Sequence, residues 1–424
     1  MAYQVYLDIV RNGVVGAADL CTYFFLRCFA LQNSEGCLGL IATKAISEAG
    51  SRNVGLDQIL RLGGVVFQSI TDMPWPGNAS VIISIVWVSK QKWHSQANLN
   101  GKLVGKINGA LEENSGLREP VKLKELKNYF SEGQNVMGKG FELNDKDRRQ
   151  IIDQDPRCER VIFPLYNGQD LNSMPKMTPS RWVIYFRDWT EEKAREYQAA
   201  FSKLEEEVKP YRDSLTGQIH QDCFWKFWDL RPKLLEEFDN KDNVLAIASV
   251  TKHVCFRRVT TQAVYNTQIK VLFFDGWKEF GVLQSSLHEA WVRWRSGKLG
   301  TSTLRYFTSR VLETWPMPAF NTDPLLEVTA KAYHDAREDY QNAHEIGPTA
   351  FYNSLSDPHE ENSKLNDLRD LQIKLDVAAL RAYGWDDIRL EHDFREVTYL
   401  PQNDRLRFTI SEDARREVLH RLAE

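Results

Sequence analysis

The sequence has no long hydrophobic run. A membrane-spanning helix needs about 20 consecutive apolar residues, and the apolar runs in these 424 residues are much shorter. The N-terminus lacks a basic segment followed by an apolar one, so no signal peptide is read. Cysteine is sparse and scattered. Cys21, Cys28, Cys37, Cys158, Cys223 and Cys255 form no C-x-x-C pair, and no histidine pair stands at zinc spacing. A structural zinc site needs four closely spaced ligands, so no metal is assigned and reduced thiols in a cytoplasm are expected. There is no dinucleotide fingerprint, Walker A loop, H-E-x-x-H or G-x-S-x-G, and no convincing D…E-x-K set to hold magnesium for a nuclease. Internal repeats and low-complexity tracts are absent too. What is there fits folded domains: 42% hydrophobic residues, 11% aromatics, 12 Trp and 26% charged residues are too ordinary a mixture for a disordered chain. At roughly 100–200 residues per domain, two or three domains are expected.

The net charge of -4 conceals an asymmetry. Residues 251–310 carry ten Lys/Arg against three Asp/Glu, whereas residues 320–424 carry 13 against 22. This suggests a middle that faces a polyanion and a solvated acidic end.

The first stretch reads as α/β. Asp19 is placed to cap a helix over Leu20–Leu31, in which Leu20, Tyr23, Phe24, Arg27 and Leu31 repeat at helical spacing. Cys37–Thr43 is a short apolar run of the kind found in buried strands. A helix over Leu56–Leu62 ends at Gly63-Gly64. The runs Val65–Ile70 and Ser80–Val88 then form a long hairpin across Thr71–Asn78, where Pro74, Pro76 and Gly77 break the pattern. Helix, strand, helix and antiparallel pair make the closing half of a mixed doubly wound sheet. Residues 96–155 read as a linker with short helices. Residues 156–318 read as an α+β domain with strands at Arg181–Phe186, Val244–Val250 and within Val264–Phe274. Its helices are Glu191–Val208, stopped at Pro210, and Phe280–Trp294. Residues 319–424 read as helical, with helices at Leu325–Ala343 and Leu365–Tyr383.

Several stretches carry more than periodicity. They are Ala-Asp-Leu-Cys-Thr-Tyr-Phe-Phe-Leu-Arg (18–27), Leu-Gly-Leu-Ile-Ala-Thr (38–43), Trp-Pro-Gly-Asn-Ala-Ser-Val (75–81), Phe-Pro-Leu-Tyr-Asn-Gly-Gln-Asp-Leu-Asn-Ser (163–173) and Arg-Trp-Val-Ile-Tyr-Phe-Arg-Asp-Trp (181–189). Val-Lys-Pro-Tyr-Arg (208–212), Trp-Asp-Leu-Arg-Pro (228–232), Leu-Arg-Tyr-Phe-Thr-Ser (304–309), Glu-Thr-Trp-Pro-Met-Pro (313–318) and Leu-Arg-Ala-Tyr-Gly-Trp (380–385) follow. In this order they resemble the C-terminal two thirds of large single-chain DNA adenine-N6 methyltransferases, the Type IIG/IIL and BREX- or DISARM-like enzymes of restriction-modification and phage defence. The resemblance implies the closing half of a class I methyltransferase core over residues 1–95, the linker, a target-recognition domain over 156–318 and a helical C-terminal region. It also implies double-stranded DNA as partner, a flipped adenine and S-adenosyl-L-methionine as methyl donor.

The family's N-P-P-F/Y catalytic loop and Gly-rich cofactor loop have no counterpart here. The expectation is therefore that this chain alone does not methylate. It would use S-adenosyl-L-methionine only together with a complementary N-terminal methyltransferase chain. A non-catalytic DNA-specificity subunit is the alternative. No residue is assigned a catalytic role.

Asp19 lies where relatives approach the cofactor, and is equally a helix N-cap. Trp75, at the hairpin tip, lies near where relatives place an aromatic wall for the flipped base. Asn167 and Asp170 occupy a polar turn. Asn pairs well with adenine in the major groove, and turn chemistry explains both residues as well. Lys252, His253, Arg257 and Arg258 follow a strand in the basic segment, where relatives tend to hold base- or phosphate-contacting groups. Lys298, Arg305 and Arg310 are candidates for phosphate contact. Arg181, Trp182 and Trp189 read as structural.

Overall fold

The computed structural model describes residues 2–16, 18–79, 81–113, 117, 120–215, 222–299, 302–320, 324–397, 400–401 and 404–424. The chain forms two compact units, residues 1–118 and 119–424. The stretch 96–155 is therefore divided between them rather than standing apart as a linker.

In the first unit, helices α1 (Ala2–Val10) and α2 (Leu20–Leu31) precede strand β1 (Cys37–Thr43). Short helices α3 (Ala49–Val54) and α4 (Leu56–Arg61) lead to β2 (Val65–Pro74) and β3 (Ile82–Ser89). Gly63, at φ +89°, ends α4 as the paired glycines predict. Two strands from the expected linker, β4 (Ala97–Leu99) and β5 (Lys102–Val104), complete a five-stranded sheet of order β1-β3-β2-β4-β5. The returning hairpin strand β3 is antiparallel to both β1 and β2, so it lies between two strands that run the same way. The hairpin is longer than expected: β2 continues to Pro74 past an irregularity between Ile70 and Met73. Pro74 is tolerated because β4 pairs with β2 only at Gln68 and Ser69, so nothing needs its missing N–H. Phe25, Ile46, Val54, Leu56, Ile59, Val66, Val86 and Val88 form the core.

The periodicity of α2 named one apolar stripe, but the structure buries another. Tyr23, Phe25, Leu26 and Phe29 face the core, while Leu20, Phe24 and Leu31 face outward. The helix carries apolar residues on both sides, with Arg27 among them on the outward one, so a 3.6-residue period alone did not select the buried face.

The second unit begins with β6 (Phe130–Glu132), β7 (Glu142–Leu143), α5 (Asp145–Gln154) and β8 (Ile162–Tyr166). After these come α6 (Gly168–Ser173) and β9 (Trp182–Ile184). Where one charged helix was expected over Glu191–Val208 there are two, α7 (Glu191–Arg195) and α8 (Gln198–Glu207), and a third, α9 (Lys209–Asp213), follows directly. Pro210 sits in the first turn of α9, where a missing N–H costs nothing, so it starts a helix instead of stopping one. Helix α10 (Pro232–Asn240) precedes β10 (Asn243–Ala248), β11 (Val250–Thr251), β12 (Arg257–Thr260), β13 (Val264–Tyr265) and β14 (Ile269–Leu272).

The expected single helix over Phe280–Trp294 is also broken, into α11 (Trp277–Gln284) and α12 (Ser286–Arg295). Ser285 is extended, and its hydroxyl caps the His288 N–H. Two short strands, β15 (Gly297–Leu299) and β16 (Thr303–Arg305), follow. The region expected to be helical contains α13 (Leu325–His344), α14 (Pro348–Leu355), α15 (Ser363–Ala382) and α16 (Glu412–Ala423). It also contains a two-stranded ladder, β17 (Asp393–Glu396) with β18 (Leu406–Thr409).

Two four-stranded sheets organise this unit, β12-β10-β14-β6 and β13-β8-β9-β7. They meet where the Gly133 and Gln134 N–H groups donate to the carbonyls of Ile269 and Tyr265. A Cβ on Gly133 would lie 2.1 Å from the Asn266 carbonyl oxygen, so only glycine allows the approach. Around the second sheet pack Phe141, Phe186, Phe201, Leu204 and Trp225; Tyr166, Leu234, Val244, Tyr265 and Val271 join the first. Helices α11, α13 and α15 pack together at Gly281, where a Cβ would crowd Leu326 and Ala330. Trp291 and Trp315 are fully buried nearby, each contributing about 1.5–3 kcal/mol of burial. The Asp376 carboxylate of α15 accepts from the Ser286 N–H of α12 at 2.8 Å and pairs with the His392 ring at 2.7 Å. The strands of residues 130–305 and the C-terminal helices therefore share one folded unit.

Candidate nucleic-acid interface

In the first unit the candidate residues gather at one end of the sheet. Asp19 caps α2, accepting from the Cys21 N–H at 3.1 Å, and its other oxygen accepts from the Thr43 hydroxyl at 3.3 Å. Its own N–H donates to Ser51 Oγ. This places the start of α2 beside the C-terminal end of β1. Lys44, one residue on, pairs with Asp72 of β2, so the far end of the hairpin lies on the same side. Trp75 lies three residues beyond Asp72, 42% exposed, and its N–H donates to the Val81 carbonyl. Its indole lies against Gly77, where a Cβ would meet Nε1 at 2.6 Å. Burial, helped by the Asp19 charge, pushes the Cys21 thiol up to about 11, so it stays protonated. In open α/β sheets ligands gather outside the carboxyl ends of strands, and that is where Asp19 and Trp75 stand. Ser80, part of the quoted hairpin motif, lies outside the described residues.

In the second unit the turn candidates are used locally. Asn167 and Asp170 form a reciprocal capping box at the start of α6, and the buried Asp170 carboxylate also pairs with Arg181. The neighbouring Asn172 side chain ties α6 to β11, donating to the Val250 carbonyl at 2.9 Å and accepting from Thr251 Oγ1 at 3.0 Å.

The basic cluster divides. His253 is buried, with Nε2 3.0 Å from Asn353 Oδ1. Burial, reinforced by Arg407 and Arg293, holds its pKa down at about 3, so it is neutral at ordinary pH. Arg257 is 2% exposed; it donates to the carbonyls of Met174 and Pro175 and pairs with Glu338 of α13 at 3.2 Å. Lys252 pairs with Asp404 at 3.0 Å. Arg258 lies over the Trp277 ring at 4.3 Å and donates to the Asp275 carbonyl. His253 and Arg257 were expected to contact DNA and instead face the interior. The acidic C-terminal stretch, expected to be solvated, supplies partners to the basic middle.

Arg305 and Arg310 are brought together. Strands β11, β16 and β15 form a small antiparallel sheet in which Val250 and Gly297 flank Arg305. Alternation buries Leu304 and Tyr306 and turns Arg305 to solvent. The Arg305 and Arg310 guanidiniums approach the Phe307 ring at 5.2 and 5.0 Å. Arg295 Nε donates to the Arg310 carbonyl at 3.4 Å and its guanidinium lies 5.2 Å from the Trp294 ring. Lys298 shares this sheet through its backbone pairing with Leu304, and its side chain lies outside the described residues. Phe307 and Arg295 were not singled out from the sequence. The i, i+2 spacing of Arg305 and Phe307 on extended chain was the available signal, because it sets both on one face. Among the described residues no three His, Cys, Asp or Glu side chains converge as metal ligands would, and no helix is long and apolar enough to cross a membrane.

Residues 119–319 match the family model of the MmeI target recognition domain. The matched stretch begins where the second compact unit begins and includes the small Arg305 sheet. The chain therefore carries a region matching a restriction-modification target recognition domain. Its fold resembles that of the Type IIL restriction-modification enzyme MmeI, solved in complex with DNA. The TM-score is 0.71 at 18% identity, over 89% of this chain and 52% of that one. The chain thus spans about half the length of the MmeI chain. The type IIG restriction endonuclease BpuSI, with a TM-score of 0.31 at 11% identity over 87% of this chain and 50% of that one, is too distant to bear on the fold. No curated protein matches.

Proposed function

We propose that this chain supplies DNA target recognition to an S-adenosyl-L-methionine-dependent DNA adenine-N6 methyltransferase of a restriction-modification or phage-defence system. The observation that carries the reading is the match of residues 119–319 to the MmeI target recognition domain. The small β11-β16-β15 sheet adds a physical reason: it turns Arg305 outward, beside Arg310 and Phe307, as a phosphate-facing surface requires. For the first unit, support comes from the strand order β1-β3-β2, with the returning hairpin strand inserted, at the end of a sheet. This suits the closing half of a class I methyltransferase core.

The residues present do not by themselves fit S-adenosyl-L-methionine. Asp19, the one cofactor candidate, has its two oxygens engaged by the Cys21 N–H and the Thr43 hydroxyl. No chemical step is assigned to this chain, and methyl transfer requires a complementary N-terminal half. Selection from a randomised duplex library tests the reading. Enrichment of one short sequence, with affinity falling steeply as salt rises, is the expected result. Binding that never exceeds that of competitor DNA would remove target recognition. Transfer of label from S-adenosyl-L-methionine to the selected duplex is expected only when a complementary chain is added.

A further inference from the structure

An apolar side chain stands beside Arg305 on the exposed face of the small β11-β16-β15 sheet. Val250 and Arg305 are directly opposed in the β11–β16 ladder. Their side chains therefore leave the sheet on the same side, with Cβ atoms about 5 Å apart. The next pair, Thr251 and Leu304, points the other way and is buried. Val250 itself is 39% exposed. Its backbone is nonetheless held firmly. The Asn172 amide donates to the Val250 carbonyl at 2.9 Å and accepts from Thr251 Oγ1 at 3.0 Å. One residue earlier, the Ser249 N–H donates to the Gln268 carbonyl at 2.7 Å, and the Ser249 carbonyl accepts from the Tyr306 N–H at 2.8 Å. A β-branched side chain is stiff at χ1, so two methyl groups are displayed at a fixed place next to a cation. With the Val250 carbonyl already taken by Asn172, the outward face is what this position offers a partner.

We infer that Val250 is a specificity-determining residue that packs against the C5-methyl group of a thymine in the major groove of the target duplex. The inference rests on the target-recognition reading above and names one base feature that this surface reads. The major groove admits a β-ribbon, and the bases line it with hydrogen-bond donors and acceptors. A side chain without polar atoms, pressed against those groups, would strip their water and return no hydrogen bond, which is costly. The C5-methyl of thymine is the one alkyl group that the four bases present there, and the minor groove shows only acceptors and the guanine amino group. An apolar side chain therefore selects thymine, and selects it from the major-groove side. Position agrees with chemistry. The C5 edge of a pyrimidine is the part of the base next to its own sugar–phosphate strand. A cation on the phosphate and an apolar group on the methyl then stand side by side, as Arg305 and Val250 do.

The test uses the full chain and the duplex that it selects from a randomised library. Each thymine of that duplex is exchanged in turn for deoxyuridine, which removes the methyl and nothing else. At one thymine the exchange is expected to weaken binding about fourfold, the effect of one buried methyl. The Val250→Ala protein is expected to bind the parent duplex and that exchanged duplex equally, because the group that met the methyl is gone. Val250 is exposed, so the variant should fold, and an unchanged near-ultraviolet circular dichroism spectrum verifies it. The measurement on the parent protein needs no variant at all. A selected sequence without thymine overturns the inference. So does an affinity indifferent to every exchange, or a fourfold loss that persists in Val250→Ala. Those three outcomes leave target recognition standing, since a sequence has still been selected. Failure to select any sequence would sink the recognition reading and the role of Val250 together.

Discussion

Asn167 and Asp170 hold each other across the first turn of α6. The Asn167 side chain accepts from the Asp170 N–H at 3.1 Å while the Asp170 carboxylate accepts from the Asn167 N–H at 2.7 Å. Two residues whose types suit base reading are thus engaged in closing a helix. Asn167→Ala is expected to lower unfolding stability by about 1 kcal/mol, and Asp170→Ala, which also strands Arg181, by about 2 kcal/mol. Urea denaturation measures both. Duplex affinity of the Asn167 variant, taken where it is folded, should stay within about twofold of the parent. A lost sequence preference at unchanged stability would make Asn167 a base reader.

Arg257 makes a comparable case in strand β12. Its guanidinium satisfies two carbonyls and Glu338, which lies 81 residues away in the chain. Arg257→Met removes the buried charge and leaves those acceptors without it, at an expected cost of about 3 kcal/mol. The salt dependence of DNA binding should not change, since a phosphate contact would have contributed about one unit to the log–log slope. A reduced slope at unchanged stability would return Arg257 to the DNA.

These two cases indicate what the sequence could convey. Local signals were readable: the Asp19 cap, the apolar run of β1, the hairpin and the Gly63 stop depend on a few adjacent residues. Where one short-range feature overrode a longer pattern, the reading failed. Ser285 splits an otherwise continuous helical period into α11 and α12, and Pro210 opens α9. The basic middle failed for a different reason. Charge counted along the chain says nothing of distant partners, and Lys252 and Arg257 find theirs in Asp404 and Glu338. Arg305 and Arg310 remained candidates because strand alternation and a shared aromatic ring set them apart.

Buried histidines give the fold a predictable acid response. Burial holds the pKa of both His253 and His288 at about 3, with Arg407 and Arg293 adding to the effect at His253. In the unfolded chain each titrates near about 6.5. The folded value is the lower one, so the unfolded state takes up protons first as the pH drops. The contribution is intact above about pH 6.5 and is lost as pH falls toward about 3, with a slope of up to about 1.4 kcal/mol per pH unit for each group. Urea midpoints should therefore fall between pH 7 and pH 5. His253→Gln, which keeps a donor for Asn353, should flatten that decline relative to the parent. Parallel profiles for the two proteins would show that His253 does not titrate on unfolding as argued.

The outward-facing Arg305 supplies the most direct test of the interface. Among the described residues no carboxylate pairs with it, and its guanidinium lies beside Phe307 with Arg310 on the same ring. A cation held by a ring at a sheet surface is well placed to meet a phosphate, because the ring orients it without neutralising its charge. Arg305→Ala removes an exposed side chain whose Cα stays in the β16 ladder, so stability should change by no more than about 0.5 kcal/mol. Binding to duplex DNA should weaken to a similar degree for all sequences, with the log–log salt slope reduced by about 1. The Arg305/Arg310 double alanine variant should lose about twice that slope. Fluorescence anisotropy across a salt series separates the outcomes. An unchanged slope would place DNA elsewhere on the second unit, whereas weakening confined to one base position would make Arg305 a reader of sequence.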